Sequence, residues 1–390
     1  MDDNAKLASI RAELPVTERY IYMNTGTNGP LPNRAHEALL ACAQRELTEG
    51  RISPTAFAQM LDSLQRTRDA MAGVLGCDPG DVALTHNTTE GVNIALMGID
   101  WRPGDEIVTA TTEHPGVLYP VYLLHQRYGV RIRMTDIGKP GVNVAGALRD
   151  ALGPRTRAVA LSHVSWSTGV TLPLAELVEL THRAGGLFIC DAAQSCGMVP
   201  SQTLDLGVDA YACSGQKWLC GPDGTGALFT RRDRLGDIQP TFAGYHTIQH
   251  GMSDFEGHFV PTPGAQRFEV ATINPASAAA FTASLRWLTE EVGWQWVYER
   301  ILRLGRLCHD QLSRLDGVTV LTPRDLMAGL VHFTVDTMAP AEVVKQLAEE
   351  RILIRAIPDP GVLRASIGFY NTEEEITRLA ACIAAIARGS

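Results

Sequence analysis

The stretch Ser214-Gly-Gln-Lys217-Trp218 places a lysine among small and amide-bearing residues, directly after an apolar run at 208–213 that reads as a strand. A lysine in that position can form a Schiff base with a carbonyl compound. Upstream, Phe188-Ile-Cys-Asp191-Ala-Ala-Gln194-Ser195 ends another apolar run on Asp191, a carboxylate of the kind that keeps a pyridine nitrogen protonated. A lysine together with an acidic partner for a pyridinium is the pair that pyridoxal phosphate requires.

Further residues fall near strand ends. His86-Asn87-Thr88-Thr89-Glu90-Gly91 joins a strand to a helix, where hydroxyls and free backbone N–H groups can hold a phosphate dianion. The same residues also read as a helix N-cap with a capping box, and the stretch alone does not choose. Ser214 and Gln216 offer more donors beside the lysine. His114, in Glu113-His-Pro-Gly116, can stack on a planar cofactor and tune a proton transfer, or be an ordinary loop histidine. Arg364, in Gly361-Val-Leu-Arg-Ala-Ser-Ile-Gly-Phe-Tyr-Asn371, carries a donor fork suited to a substrate carboxylate; a structural salt bridge is the alternative. Gly221-Pro-Asp-Gly-Thr-Gly226 fits a dinucleotide fingerprint only loosely and precedes a strand instead of opening a helix, so it reads as a turn.

The elements that must position these groups alternate between short β-rich runs and longer amphipathic stretches across residues 20–255, the pattern of a parallel sheet covered by helices. Strands are expected at 82–85, 106–110, 130–134, 158–163, 187–190, 210–213 and 227–230, with helices at 91–97, 117–128 and 174–184 between them. Ligands bind such sheets beyond the carboxyl ends of the strands, where Thr88, His114, Asp191 and Lys217 all fall. A Gly- and Pro-bearing stretch, 251–264, then leads to a helix-rich region and a second α/β pattern. The expected organisation is an N-terminal segment, 1–19, packing on a small domain at 256–390, and a large cofactor-binding domain at 20–255.

Composition narrows the function class. The net charge of -9 and the lack of a Lys/Arg-rich run exclude a nucleic-acid footprint. The longest apolar runs, such as 379–387, are too short to span a bilayer, and the opening residues lack a leader pattern, so a cytoplasmic protein is expected. Eight cysteines show no C-x-x-C spacing and read mostly as reduced core residues, and no His/Cys cluster has zinc spacing, so no metal is expected.

Taken as a set, Asn87-Thr-Thr89, His114, Asp191-x-x-Gln194, Ser214-x-x-Lys217 and Arg364 resemble, in order, the class V aminotransferase family of pyridoxal-phosphate enzymes of fold type I. Within that family, Leu161-Ser-His-Val-Ser-Trp-Ser-Thr-Gly169, Arg267-Phe-Glu-Val-Ala-Thr272 and Arg355-Ala-Ile-Pro-Asp-Pro-Gly-Val-Leu-Arg364 resemble the cystine/cysteine C–S lyases. The chain is also similar to isopenicillin-epimerase-like proteins, including those that process cysteine S-conjugates in lincosamide antibiotic assembly. The resemblance implies Lys217 as Schiff-base lysine, Asp191 as pyridinium partner, His114 as ring-stacking group and Gln194 on the cofactor's phenolic oxygen. It implies phosphate binding by Thr88, Thr89, Ser214 and Gln216, with Thr272 arriving from a neighbouring subunit of a homodimer whose active sites lie at the interface. Arg364 would take the substrate carboxylate, with Asn24, Thr25, Gly26, Trp166, Tyr245 and His246 around the substrate. Gln216 stands where relatives often have histidine, and Trp166 where many place asparagine. Cysteine desulfurases carry a nucleophilic cysteine on the loop before that arginine, and residues 352–363 contain none. The implied reaction is β-elimination from cystine or a cysteine S-conjugate. The alternatives are decarboxylation with oxidative deamination, Cα epimerisation, or a non-catalytic sensor.

Overall fold

Along the strand Leu187–Asp191 every residue is buried, and the side chains sort by parity: Phe188 and Cys190 join one apolar cluster, Leu187 and Ile189 another. A strand buried on both faces needs a layer on each side, and the computed structural model, which describes residues 2–249 and 255–389, has that arrangement. In chain order the strands are β1 Ile21–Tyr22, β2 Val82–Thr85, β3 Glu106–Ala110, β4 Arg131–Thr135, β5 Thr156–Ser162, β6 Leu187–Asp191, β7 Ala210–Ser214, β8 Gly226–Thr230, β9 Val318–Val320, β10 Leu330–Val335, β11 Ile352–Leu353, β12 Arg355–Ile357 and β13 Val362–Ser366.

A seven-stranded sheet runs in the order β2-β8-β7-β6-β5-β3-β4. All neighbours are parallel except around β8, which is antiparallel to both β2 and β7. Parallel neighbours need helical crossovers: Pro115–Tyr128 links β3 to β4 and Leu174–Arg183 links β5 to β6, while Thr88–Met97 carries the chain from β2 to β3. The β7–β8 connection is instead a turn, closed by Gly215 N–H donating to Thr225 O and Gly221 N–H donating to Gly215 O. Lys217 lies in that turn. Because β2, β3, β5, β6 and β7 share one direction, their carboxyl ends open on a single edge.

The remaining strands form a four-stranded antiparallel sheet, β12-β13-β10-β9, and a parallel pair, β1 with β11. Helices Trp294–Leu312, Pro340–Glu349 and Glu373–Ala387 cover the larger of these through Leu304, Leu312, Leu347, Leu379 and Ile383, packed against Phe333 and Leu363. The N-terminal helix Asp3–Glu13 buries Ile10, and Leu14 just after it, against Trp287, Ile301, Phe369 and Tyr370. Arg11 fastens it by donating to Tyr370 O and to Glu375. All eight cysteines are free, and six are buried, as small apolar residues would be.

Of the stretch at 251–264, residues 251–254 lie outside the described residues. The rest folds back on what precedes it: Gln249 N–H donates to Val260 O, and Thr262 N–H to Thr247 O. Beyond it Glu269 pairs with Arg68 in the interior and accepts from the Leu84 N–H of β2.

Candidate active site

Lys217 leaves the β7 end half-buried, and its amine has no hydrogen-bond partner among the described residues. Burial brings the amine down to about 8; Asp191 opposes the shift, and Arg364 and Arg355 add to it. Asp191 closes β6, buried, with its Oδ1 accepting from Ala193 N–H at 2.8 Å. These two groups face each other at the sheet edge from adjacent parallel strands.

Helix Thr88–Met97 begins beside them. Asn87 is its N-cap, accepting from Glu90 N–H, while Glu90 reaches back to His86 N–H. The capping reading therefore holds for Asn87 and Glu90, and it leaves the threonines free for other work. Thr88 Oγ1 lies 2.6 Å from Ser214 Oγ, and Thr89 Oγ1 stands against Gly116 at the start of the next helix. Gln216 carries a buried amide oxygen without a partner.

His114 is the N-cap of Pro115–Tyr128, its Nδ1 accepting from Gly116 N–H at 3.0 Å. Desolvation lowers its pKa, so the ring is neutral with its proton on Nε2. Trp166 meets it edge-on, ring centroids 5.0 Å apart. The Trp166 carbonyl accepts from His332 Nε2 at 2.9 Å and from Arg364 Nη1 at 3.4 Å. Burial and the adjacent Arg364 cation hold His332 down to about 3, so it too is neutral.

Arg364 is 1% exposed and forms no ion pair among the described residues. Its Nη2 donates to Thr27 Oγ1 at 3.1 Å, and its Nε has no partner. Arg355 stands directly opposite it across β12 and β13, and His332 opposite it across β10 and β13. A buried cation without a carboxylate is an expensive arrangement unless a ligand completes it.

The loop Asn24-Thr-Gly-Thr-Asn-Gly29 crosses between these groups. Asn24 bridges to Ser366 of β13, Thr25 Oγ1 meets Tyr370 Oη at 2.6 Å, and Gly26 O accepts from Gln194 Nε2 at 2.8 Å. At the far end Gly29 N–H donates to Gln216 O, and a Cβ on Gly29 would lie 2.1 Å from Lys217 O. Gln194 also accepts from Trp218 Nε1 at 3.0 Å, which leaves one amide proton uncommitted.

Lys217, Asp191, Thr88, Thr89, Ser214, Gln216, His114, Trp166, Gln194, Arg364 and the 24–26 residues are thus linked through one connected region. Thr272 is exposed and makes no hydrogen bond to any of them among the described residues. It lines a cavity of about 610 Å³ together with Cys42, Arg51, Phe57, Met60 and Pro275. Tyr245 and His246 meet each other edge-on at 5.3 Å on the segment after β8, with Tyr245 exposed.

Three residues not singled out from sequence join the site. Thr27 and Arg355 are bonded to each other at 3.0 Å. Glu113 is buried, accepting from Ser162 N–H and Oγ–H, and burial raises its carboxyl to about 8, with Asp191 adding to the shift. The signal for Arg355 was readable: Pro358-Asp-Pro-Gly361 is a turn centred between positions 355 and 364 and so pairs them. No group of residues able to hold a metal occurs among the described residues, and none of their helices is long and apolar enough to cross a membrane.

The donor set fits pyridoxal phosphate. An unpaired amine would hold the aldehyde carbon, the buried carboxylate the ring nitrogen, and the helix start with the Thr88 and Ser214 hydroxyls and the Gln216 amide N–H groups the phosphate. A model of the family described as aminotransferase class-V matches residues 30–379. A probable cysteine desulfurase of Methanothermobacter thermautotrophicus is 28% identical over 97% of this chain and 97% of its own length. An isopenicillin N epimerase of Streptomyces clavuligerus is 29% identical over 96% and 97%. Among solved structures, the cystine C-S lyase C-DES in complex with its reaction product cysteine persulfide superposes with a TM-score of 0.90 at 34% identity, covering 95% of this chain and 99% of that one. Another C-DES structure, with glycine linked to its pyridoxal-phosphate cofactor, matches equally well over 96% and 98%. The chain belongs to the class V aminotransferase family, with the type I fold and the pyridoxal-phosphate cofactor expected from Lys217 and Asp191.

Proposed function

We propose that this class V enzyme is a carbon–sulfur β-lyase that cleaves cystine or a cysteine S-conjugate, releasing a persulfide or thiol with pyruvate and ammonia. One observation carries the reading: the site offers a base and a carboxylate grip but no thiol on the loop before Arg364. Residues 352–363 contain no cysteine, and burial pushes the thiol of Cys220, on the lysine turn, up to about 12, as it does those of Cys77 and Cys308. Desulfuration through an enzyme persulfide lacks its nucleophile there. The similarity to C-DES supports the same choice.

When bound, pyridoxal phosphate supplies an electron sink conjugated to the substrate Cα. Arg364 holds the α-carboxylate in two hydrogen bonds, fixing which Cα bond faces the sink. Lys217, neutral above about pH 8, takes the Cα proton onto Nζ. The Cβ–S bond then breaks with its electron pair leaving on sulfur, and the Lys217 ammonium returns its proton to the departing thiolate. His114 and Trp166 wall the cleft against water, and Arg355, exposed and without a carboxylate partner among the described residues, suits a leaving group that carries negative charge.

The functional unit in this proposal is a homodimer in which the partner's copy of position 272 completes the phosphate site. Exposed Leu40, Leu47, Ile52 and Phe57, on or between the helices beside the Thr272 cavity, support such an interface. Tyr245 and His246 are assigned to the mouth of the cleft. The similarity to isopenicillin N epimerase favours a second reading, Cα epimerisation of an S-substituted amino acid in natural-product assembly. Mass spectrometry of products from a panel of conjugates in deuterated water separates the two. Thiol and pyruvate release is expected; deuterium at Cα without thiol release would replace elimination by epimerisation.

A further inference from the structure

Among the described residues, Thr27 is the one side chain that both site arginines touch. Its Oγ1 donates to Asn24 Oδ1 at 2.7 Å and accepts from Arg355 Nη1 at 3.0 Å and Arg364 Nη2 at 3.1 Å. A hydroxyl has one proton and two lone pairs, so this one is saturated. The direction of its proton is settled by Asn24, because neither guanidinium can accept one. Each arginine therefore meets a lone pair whose direction is already set.

Two like charges are gathered around a neutral oxygen here, and among the described residues no carboxylate pairs with either to offset their repulsion. Arg355 is exposed and would otherwise swing into water, where its cation is well solvated. The loop holding Thr27 is itself fastened at both ends, by the Asn24–Ser366 bridge and by Gly29 N–H on Gln216 O. Thr27 N–H donates to Asn24 O, closing the turn that presents the hydroxyl. The arginine pair is thus aimed from the loop, not only from its own strands.

We propose that Thr27 is a positioning residue whose hydroxyl orients the Arg355 and Arg364 guanidinium groups before substrate arrives, so that carboxylate binding costs little reorganisation. The proposal rests on the reading of Arg364 as the substrate carboxylate's partner. It assigns Thr27 no contact with reacting atoms.

The test uses holoenzyme, Thr27→Val, which keeps the shape and removes the hydroxyl, and Thr27→Ser, which restores it. Glycine, followed by the change in visible absorbance it causes, reports amino-acid binding without any C–S cleavage. In Thr27→Val the apparent Kd for glycine and the KM for cystine rise about 10- to 100-fold, the range for hydrogen bonds to charged groups. The kcat changes far less, and Thr27→Ser returns both constants toward the parent. The effect of Thr27→Val shrinks in an Arg364→Lys background, because the fork it aims is gone. Unchanged glycine affinity in Thr27→Val overturns the proposal, as does a Ser variant no better than Val, which would assign the methyl group a packing role. Failure of glycine to perturb the parent enzyme's spectrum sinks the reading of Arg364 itself, and that outcome is separate from the first two.

Discussion

Replacing Arg364 by methionine should weaken catalysis without weakening the fold. The guanidinium is 1% exposed and, among the described residues, bonded only to two neutral oxygens, and burial beside Arg355 brings it down to about 9. It remains a cation at neutral pH, but one the folded state disfavours. For a base lowered on folding, the penalty is complete below the folded value and fades as pH climbs toward the ordinary one, so it is fully present at pH 7. Exchanging buried ionic groups for apolar ones of similar volume ranges from neutral to stabilising by about 1–4 kcal/mol. Removing the partner of a buried substrate carboxylate costs about 2–5 kcal/mol, or about 30- to 4000-fold in kcat/KM. The expected variant therefore unfolds in urea at or above the parent's midpoint while thiol release at subsaturating cystine collapses. A kcat/KM within about tenfold of the parent refutes the carboxylate role, and a stability loss above about 1 kcal/mol accompanying the activity loss makes Arg364 structural.

Lys217 acts as a neutral amine, so kcat should rise with pH through about 8 and fall about tenfold per unit below it; Arg355→Gln removes a cation that lowers the amine and moves the midpoint upward, read from steady-state pH profiles. Gly29→Ala puts a methyl 2.1 Å from Lys217 O and must displace the lysine turn, so activity and the cofactor's visible band should both change while far-UV circular dichroism does not. Glu269→Ala leaves Arg68 unpaired in the interior and the Leu84 N–H without its acceptor; a destabilisation of about 3–5 kcal/mol by denaturant titration is expected, with kcat per folded molecule retained.

Much of the large sheet is legible because parallel strands buried on both faces are near-continuous apolar runs: the seven expected strands all occur, with ends displaced by a residue or two. The helix after β2 begins at Thr88, earlier than the apolar pattern suggests, because Asn87 caps it. Helices Asn33–Glu49 and Pro54–Leu75 give a weak signal, since Leu40, Leu47, Phe57 and Leu61 face outward and blur the apolar stripe. Lys217, Asp191 and Thr88 are readable from sequence because each lies at the end of its own strand. The role of Thr27 is not: its hydroxyl joins the site through Arg355 and Arg364, the second 337 residues away. Glu113 sits beside His114 in the chain, yet its burial follows from β5 packing over it, which no local pattern reports.

The 24–29 loop is pinned at one end to the strand bearing Arg364 and at the other to the turn bearing Lys217. It therefore works as a gauge rod, setting the span between the grip on the substrate and the base that deprotonates it. Any breathing of the cleft must stretch or release this rod, and the amide hydrogen of Gly29, whose acceptor sits on the lysine turn, would exchange with solvent at the rate of that opening.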